Sequence, residues 1–125
     1  MTNLAQLLIG GALGTVSRYA MSIIVYRAAG ADFPYGTLAV NLTGCFLMGF
    51  LAAITEERFV FGSNIRVFLM IGFCGAFTTF STFILETANL IKDGESFRAL
   101  LNVLLSVIVG FVVFRLGLLA GELVQ

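Results

Sequence analysis

The sequence predicts an all-α membrane protein with four transmembrane helices, on the strength of its composition and its hydropathy pattern. Of its 125 residues, 59% are hydrophobic and only 11% are charged. A soluble domain carries about 25% charged residues, so this chain has too few to keep such an apolar body in water. The apolar residues also fall into four long runs, and short connections between the runs hold most of the charges.

Each run is close to the ~20 residues that a helix needs to cross ~30 Å of hydrocarbon. The runs are Leu4 to Val25, Thr37 to Ile54, Val67 to Ile91, and Ala99 to Ala120. The first run lacks a preceding basic stretch and a small-residue cleavage site, which predicts a spanning helix rather than a signal peptide. The connections leave no room for a second domain, so residues 1–125 are expected to form a single four-helix membrane domain.

Composition also excludes several classes of protein. The net charge is zero and basic residues do not cluster, so no nucleic-acid partner is expected. The chain has no histidine, which removes the commonest general base and a frequent metal or haem ligand. Cys45 and Cys74 fall inside apolar runs, where a cysteine is ordinarily a small core residue. The protein is therefore not expected to be an enzyme.

Loop charge gives the helices almost no preferred orientation. Arg58 and Arg66 would lie on one side of the membrane, and Arg27, Lys92 and Arg98 on the other. A small four-helix protein without such a bias is expected to insert in both orientations and to form an antiparallel, dual-topology homodimer. The alternative is a single orientation set by something other than loop charge.

Small residues at helical spacing favour association of the helices. Gly10 and Gly14 form one GxxxG pattern, and Gly117 and Gly121 form another. Such patterns let two helix backbones approach closely in lipid. They support an association between chains, although either pattern could equally make a contact within one chain.

Several polar side chains within the runs need water or a partner, because polar groups are costly in hydrocarbon. Arg18 should face protein or water or extend toward the end of its helix near Arg27, since an arginine at a helix centre costs about +2.5 to +3.5 kcal/mol. Arg115 is closer to a helix end, which favours snorkelling. Asn41 carries both an amide donor and a carbonyl acceptor, which could serve a ligand. The alternative is that they form an interhelical hydrogen bond. Glu86 is more readily explained by pairing or solvation than by proton coupling.

The stretch FCGAFTTFSTF, residues 73–83, is the most informative part of the sequence. Four hydroxyl residues surround Phe80 in the middle of the third run: Thr78, Thr79, Ser81 and Thr82. Hydroxyls compete for backbone hydrogen bonds, and the nearby Gly72 and Gly75 add freedom, so a helix break at mid-membrane is expected. Freed carbonyls at such a break would be available to a cation. If the segment stays helical, the hydroxyls bond back to preceding carbonyls.

Phe80 and Phe83 are three residues apart and would share a helical face. Most phenylalanines of a membrane protein face lipid or other helices, but these two alternate with hydroxyl residues. Their electropositive ring edges, together with Ser and Thr donors, could line a path for a small anion. Phe111 and Phe114 lie outside this motif and are expected to have no part in the path.

On the fourth run, Asn102, Ser106 and Gly110 recur every four residues. This spacing places them in a polar or small stripe along one helical face.

Over its whole length the sequence resembles the Fluc (CrcB) family of fluoride channels of bacteria and archaea. The resemblance lies in GGALGTVSR at residues 10–18, GTLAVN at residues 36–41, and GFCGAFTTFSTF at residues 72–83, followed by Glu86. Arg18 matches an arginine of the family. TTFSTF and GTLxVN together, in a chain of this length, make the resemblance specific.

The resemblance implies a passive fluoride channel of the bacterial inner membrane that relieves fluoride toxicity. It implies an antiparallel dual-topology homodimer in the lipid bilayer, with two pores and a structural sodium ion, Na⁺, at the centre. Phe80, Phe83 and Asn41 match the family's pore residues. The backbone carbonyls of Gly75 and Thr78 match its sodium ligands.

Ser81, Thr82 and Ser106 match further polar positions near the pore. The fourth helix departs from the family pattern at two positions. Gly110 stands where relatives often carry a hydroxyl, and Asn102 where they often carry another polar side chain.

Two other functions are compatible with a protein of this composition. A small dual-topology drug/proton antiporter needs an acidic residue in its first helix, and residues 1–31 contain none. A noncatalytic membrane-anchor subunit would explain the hydrophobicity but not the cluster of hydroxyls in the third run.

Overall fold

The computed structural model describes residues 2–56 and 62–124, and within these ranges all regular secondary structure is helical. Four segments are long and apolar enough to cross a membrane: Asn3–Ala29, Tyr35–Thr55, Ser63–Lys92 and Ser96–Leu123. The predicted all-α architecture with four membrane-capable helices is therefore confirmed. Each segment extends beyond the predicted run, because the helix continues into polar residues where the apolar run has already ended.

Five helices make up the four segments. They are α1 (Thr2–Ala29), α2 (Tyr35–Glu56), α3 (residues 63–77), α4 (Phe80–Lys92) and α5 (Ser96–Leu123). Helices α3 and α4 together form the third segment. Two stretches are π-helical, Val67–Cys74 within α3 and Leu105–Val109 within α5. π-Helical turns within α-helices are frequent at functional sites.

The helices pack in two principal pairs, α1 along α3 and α2 along the second half of α5, while α4 packs against the first half of α5. Both GxxxG patterns serve contacts within the chain. A Cβ atom on Gly10 would lie 2.5 Å from the carbonyl oxygen of Phe68 in α3. A Cβ atom on Gly117 would collide with the carbonyl oxygen of Phe46 in α2. The glycines therefore bring helices of one chain together, and they no longer support an association between chains.

Two tight turns join helices at the same end of the bundle. Gly30 follows α1 with a φ of +90°, and Gly94 follows α4 with a φ of +79°, a backbone conformation that glycine adopts without steric cost. Arg98, at the start of α5, donates from Nη1 to the carbonyl oxygen of Asp32 at 3.2 Å, which ties the two turns together. The loop-charge prediction also used Arg58, which lies outside the described residues.

The outer surface of the chain is strongly apolar, as expected for a protein solvated by lipid. Leu8, Ile24 and Phe111 are each about two-thirds exposed. Fully buried side chains are few in the described ranges, and the largest are Val40, Asn102 and Cys74. A chain with so little interior relies on close helix contacts and buried hydrogen bonds for its shape.

Candidate functional site

The helix of the third segment is interrupted at Thr78 and Thr79. Thr78 has φ −86° and ψ 158°, and Thr79 has φ −150° and ψ 116°, so both residues are extended. Helix α3 ends one residue earlier, and α4 begins one residue later. The Oγ1 atom of Thr79 caps α4 by accepting a hydrogen bond from the backbone N–H of Thr82 at 3.2 Å.

Asn41 of α2 holds this interruption in place through two hydrogen bonds. Its Nδ2 donates to the carbonyl oxygen of Thr79 at 3.0 Å, and its Oδ1 accepts from the backbone N–H of Thr79 at 2.8 Å. The side-chain amide thus bonds to both backbone groups of one extended residue. This is the interhelical hydrogen bonding that the sequence offered as one alternative for Asn41. Since an amide nitrogen carries two hydrogens, one N–H remains outside this pair.

The same hydrogen bonds leave two particular carbonyls without their usual helical donors. In a continuous helix, the carbonyl of Gly75 would accept from the N–H of Thr79, and that of Thr78 from the N–H of Thr82. Here the N–H of Thr79 bonds to Asn41, and the N–H of Thr82 bonds to the Thr79 hydroxyl. These are the two carbonyls that the family resemblance assigns to sodium.

A cavity of about 350 Å³, which we call the phenylalanine cavity, lies beside the interruption between α2, α4 and α5. Five residues predicted for the site line it together: Asn41, Thr78, Phe80, Phe83 and Ser106. The rings of Phe80 and Phe83 lie 5.7 Å apart with an angle of 45° between their planes. Phe83 is only 7% exposed, whereas Phe80 is 74% exposed on the surface of the single chain.

Ser106 reaches the phenylalanine cavity from the π-helical stretch of α5. Its Oγ atom is buried and has no hydrogen-bond partner in the described part of the chain. A buried hydroxyl is costly to leave unpaired, so this atom needs a partner from outside the described residues.

Residues that the sequence did not predict for the site also line the cavity. Thr79, Cys45, Met48 and Phe114 line it. The sequence predicts no part in the path for Phe114, yet its side chain lines this cavity. It stands four residues beyond Gly110, so extending the four-residue stripe of α5 by one step would have found it.

Ser81 and Thr82 do not line the phenylalanine cavity. The Oγ1 atom of Thr79 lies 2.9 Å from that of Thr82 and 3.5 Å from the Oγ atom of Ser81, so the three hydroxyls cluster at the start of α4. Ser81 is exposed on the single chain. Thr82 faces a second, polar cavity of about 340 Å³, the α1–α4 groove, which also contains Arg18.

Glu86 joins the end of the α1–α4 groove to two other helices. Its Oε1 atom accepts from the hydroxyl of Tyr26 in α1 at 3.1 Å and from the Oγ1 atom of Thr37 in α2 at 2.9 Å. Gly36 makes room for the ring of Tyr26, because a Cβ atom on this glycine would collide with it. Glu86 is thus hydrogen-bonded, which is one form of the pairing that its position favoured.

Asn102, whose role the sequence left open, is 2% exposed and hydrogen-bonded within the chain. Its Nδ2 atom donates to the Oγ1 atom of Thr87 in α4 at 2.9 Å. Gly110 is buried close to Cys45, so the departure from the family pattern leaves no hydroxyl at this point of the α5 stripe.

Side chains suited to a transition-metal site are not grouped anywhere in residues 2–56 and 62–124. Both cysteines are free, and Cys74 is buried in α3.

Comparison with known proteins finds relatives along nearly the whole chain. The family model described as CrcB-like protein, Camphor Resistance (CrcB), matches residues 5–118. A protein of Desulforapulum autotrophicum named fluoride-specific ion channel FluC is 43% identical over 116 residues, which cover 93% of each chain. One of Magnetococcus marinus with the same name is 45% identical over 121 residues, covering 97% of this chain and 98% of the relative. One of Solidesulfovibrio magneticus is 41% identical over 124 residues, covering 99% of both.

Proposed function

The chain belongs to the CrcB family, and we propose that it is a fluoride-specific ion channel through which fluoride leaves the cell passively. The full-length relatives that carry this name support the proposal. The observation that carries it in this chain is the interruption at Thr78 and Thr79, which Asn41 holds beside a cavity lined by two phenylalanine rings and by Ser106. The Ser106 hydroxyl has no hydrogen-bond partner among the described residues. The protein is a multi-pass membrane protein and not an enzyme.

The chemistry of the phenylalanine cavity suits a small anion. Fluoride is strongly hydrated, so a narrow path must replace its water with hydrogen-bond donors. The free N–H of Asn41 and the hydroxyl of Ser106 supply such donors, and the edges of Phe80 and Phe83 add weak attraction. Weak sites suit a channel, because each must release the ion as well as select it.

Ser81 and Thr82 provide further hydroxyl donors outside the phenylalanine cavity, at the start of α4. Their hydroxyls lie beside that of Thr79, which borders both the phenylalanine cavity and the α1–α4 groove. An anion leaving the rings would meet these hydroxyls next.

The channel is proposed to be an antiparallel, dual-topology homodimer with two pores, its helix interruption lying at mid-membrane. Phe80 and Ser81 are exposed on the single chain, directly beside the extended residues. Irregular backbone is not tolerated against lipid, so this region must be covered by another protein surface or must line a water-filled cavity. The near balance of loop charges supports a second copy inserted in the opposite direction.

A structural sodium ion is proposed to lie between the two subunits, held by the carbonyl oxygens of Gly75 and Thr78. The residues present fit this ion, because both carbonyls lack the N–H donors that a continuous helix would give them. Oxygen ligands suit a hard cation of this kind. When bound, the ion would supply a fixed positive charge that lowers the cost of an anion in a low-dielectric site.

The cell (inner) membrane of a bacterium is the proposed location. Fluoride enters cells from acid surroundings as neutral hydrogen fluoride and dissociates inside. A channel in this membrane lets the membrane potential drive the anion out, without ATP or a coupled ion.

The proposal is tested by reconstituting the purified chain in liposomes loaded with potassium fluoride or potassium chloride. Release is followed with ion-selective electrodes after valinomycin is added to carry potassium. We expect rapid release of fluoride and almost no release of chloride. A protein that releases both anions at the same rate, or neither, would contradict the proposed function.

A further inference from the structure

A buried series of hydrogen bonds links α5 to the segment of α4 that carries Phe83. Asn102 donates from Nδ2 to the Oγ1 atom of Thr87 at 2.9 Å. The same hydroxyl donates its hydrogen to the carbonyl oxygen of Phe83, one turn earlier in α4, at 2.7 Å. Asn102 is 2% exposed, Thr87 is 9% exposed and Phe83 is 7% exposed, so water does not compete for these bonds.

The series has a fixed direction. A threonine hydroxyl has one hydrogen, which goes to the Phe83 carbonyl, so toward Asn102 it can only accept. A helix needs no such link for its own bonding, because the Phe83 carbonyl already lies in a regular part of α4. The link therefore serves to hold one helix against the other. Removing one partner would leave a buried polar group unpaired.

The bonded residues lie one turn from two residues of the phenylalanine cavity. Asn102 precedes Ser106 by four residues on α5, and Phe83 precedes Thr87 by four residues on α4. Residues four apart share a helical face. The bond between Asn102 and Thr87 thus fixes the two faces that present the Ser106 hydroxyl and the Phe83 ring to the same cavity. It also anchors α5 just before its π-helical stretch begins at Leu105.

We infer that Asn102 and Thr87 are positioning residues that set the spacing between Ser106 and Phe83, and thereby the preference for fluoride over chloride. Neither residue is among those that line the phenylalanine cavity. The inference rests on the proposed channel function. It assigns to Asn102, which departs from the family pattern, a role outside the path itself.

Single substitutions provide the first part of the test, with fluoride and chloride efflux from liposomes as the readout. In Thr87→Val or Asn102→Leu, fluoride efflux should fall about tenfold, and the ratio of fluoride to chloride efflux should fall with it. Thr87→Ser, which keeps the hydroxyl, should restore most of both values. Thr55→Val is the matched control. It removes a hydroxyl that bonds to the carbonyl of Leu51 at 2.7 Å, at the far end of α2.

The double variant Asn102→Leu with Thr87→Val separates positioning from stability. Replacing both partners by apolar side chains removes the unpaired groups, so thermal stability and dimer elution should return close to those of the wild type. We expect fluoride efflux and selectivity to remain low, because the two faces are no longer tied together. Recovery of efflux together with stability would overturn the inference and leave the channel function standing. A wild-type chain that passes no fluoride would overturn both.

Discussion

Helix α1 meets α3 through bare backbone, whereas α2 meets the interruption through the side chain of Asn41. At the first contact Gly10 brings two helices so close that even a methyl group finds no room. At the second, extended backbone is open, and a single amide satisfies both polar groups of Thr79. Both kinds of contact suit a protein in lipid. Helices gain little there from burying apolar surface, and no water is present to bond free backbone groups.

The contrast indicates that the glycine contacts hold the helices together and that the interruption supplies the polar groups. A glycine contact has no polar group to offer an ion, so it can only hold helices together. The interruption exposes carbonyls and hydroxyls that a regular helix would hide, and it depends on its neighbours to stay in place. Changes at the glycine contacts should therefore lower stability, and changes at the interruption should lower permeation. The following substitutions test that division in order of expected effect.

The largest loss of permeation is expected for Asn41→Asp. The aspartate can still accept from the N–H of Thr79, but it cannot donate to the Thr79 carbonyl or to an anion. Fluoride efflux should fall by about a hundredfold or more. The measurement is liposome efflux of protein that still elutes from gel filtration at the volume of the unsubstituted protein. Asn64→Asp makes the same chemical change at an exposed position and should leave efflux unchanged. Wild-type efflux in an assembled Asn41→Asp protein would remove Asn41 from the path.

A large loss of stability is expected for Gly10→Val. The new side chain would meet backbone atoms of α3, with the Phe68 carbonyl oxygen at 2.5 Å and the Phe73 nitrogen at 3.1 Å. Rigid backbone must then move apart, at a cost of about 1–3 kcal/mol. The midpoint of thermal unfolding in detergent should fall accordingly, while efflux per surviving dimer changes little.

The neighbouring glycine supplies the control for this prediction. A Cβ atom on Gly11 meets no atom of the described residues within 4 Å, so Gly11→Val should leave the unfolding midpoint almost unchanged. Equal destabilisation by Gly10→Val and Gly11→Val would mean that helix propensity, and not the close approach of α1 to α3, is responsible.

An intermediate loss of permeation is expected when the ring of Phe80 or Phe83 is replaced. Phe80→Ile and Phe83→Ile keep apolar bulk but remove the electropositive ring edge, so fluoride efflux should fall about tenfold. Phe80→Met, with a polarizable sulfur, should retain more activity. Phe114→Ile should also respond, because Phe114 lines the same cavity. Phe111 is 67% exposed on the outer surface, and Phe111→Ile is the control. If all four positions respond alike, the effect is one of packing.

Local chemistry in the sequence was enough to predict the four membrane helices and to locate the hydroxyl-rich stretch. A long apolar run can be identified from adjacent residues alone. The same is true of Thr78 and Thr79, which lie among other hydroxyl residues near two glycines. Partners that are distant in the sequence could not be predicted in this way. Nothing local pairs Asn41 with Thr79, 38 residues away, or Asn102 with Thr87, 15 residues away. The glycine patterns were recognised as contacts, but their spacing is the same whether the partner helix belongs to the same chain or to another.

The smallest effect is expected for Thr78→Ser, and comparison with Gly75→Val makes it informative. The proposed sodium ligands are backbone oxygens, so serine, which keeps the hydroxyl bonded to the Cys74 carbonyl at 3.0 Å, should change efflux less than about twofold. Gly75→Val adds a side chain in open space, because the nearest atom to its Cβ within the chain is the Met70 carbonyl oxygen at 3.8 Å. The single chain should therefore still fold.

Any loss caused by Gly75→Val would then come from contact with the proposed second copy of the chain. We expect gel filtration to show monomer in place of dimer, and thermal stability to lose its dependence on sodium, while Thr78→Ser retains both properties. A stable Gly75→Val dimer whose unfolding still responds to sodium would place the ion away from this carbonyl. A Thr78→Ser protein as impaired as Gly75→Val would show that the threonine methyl group, which lies against Gly44, matters more than the backbone oxygens.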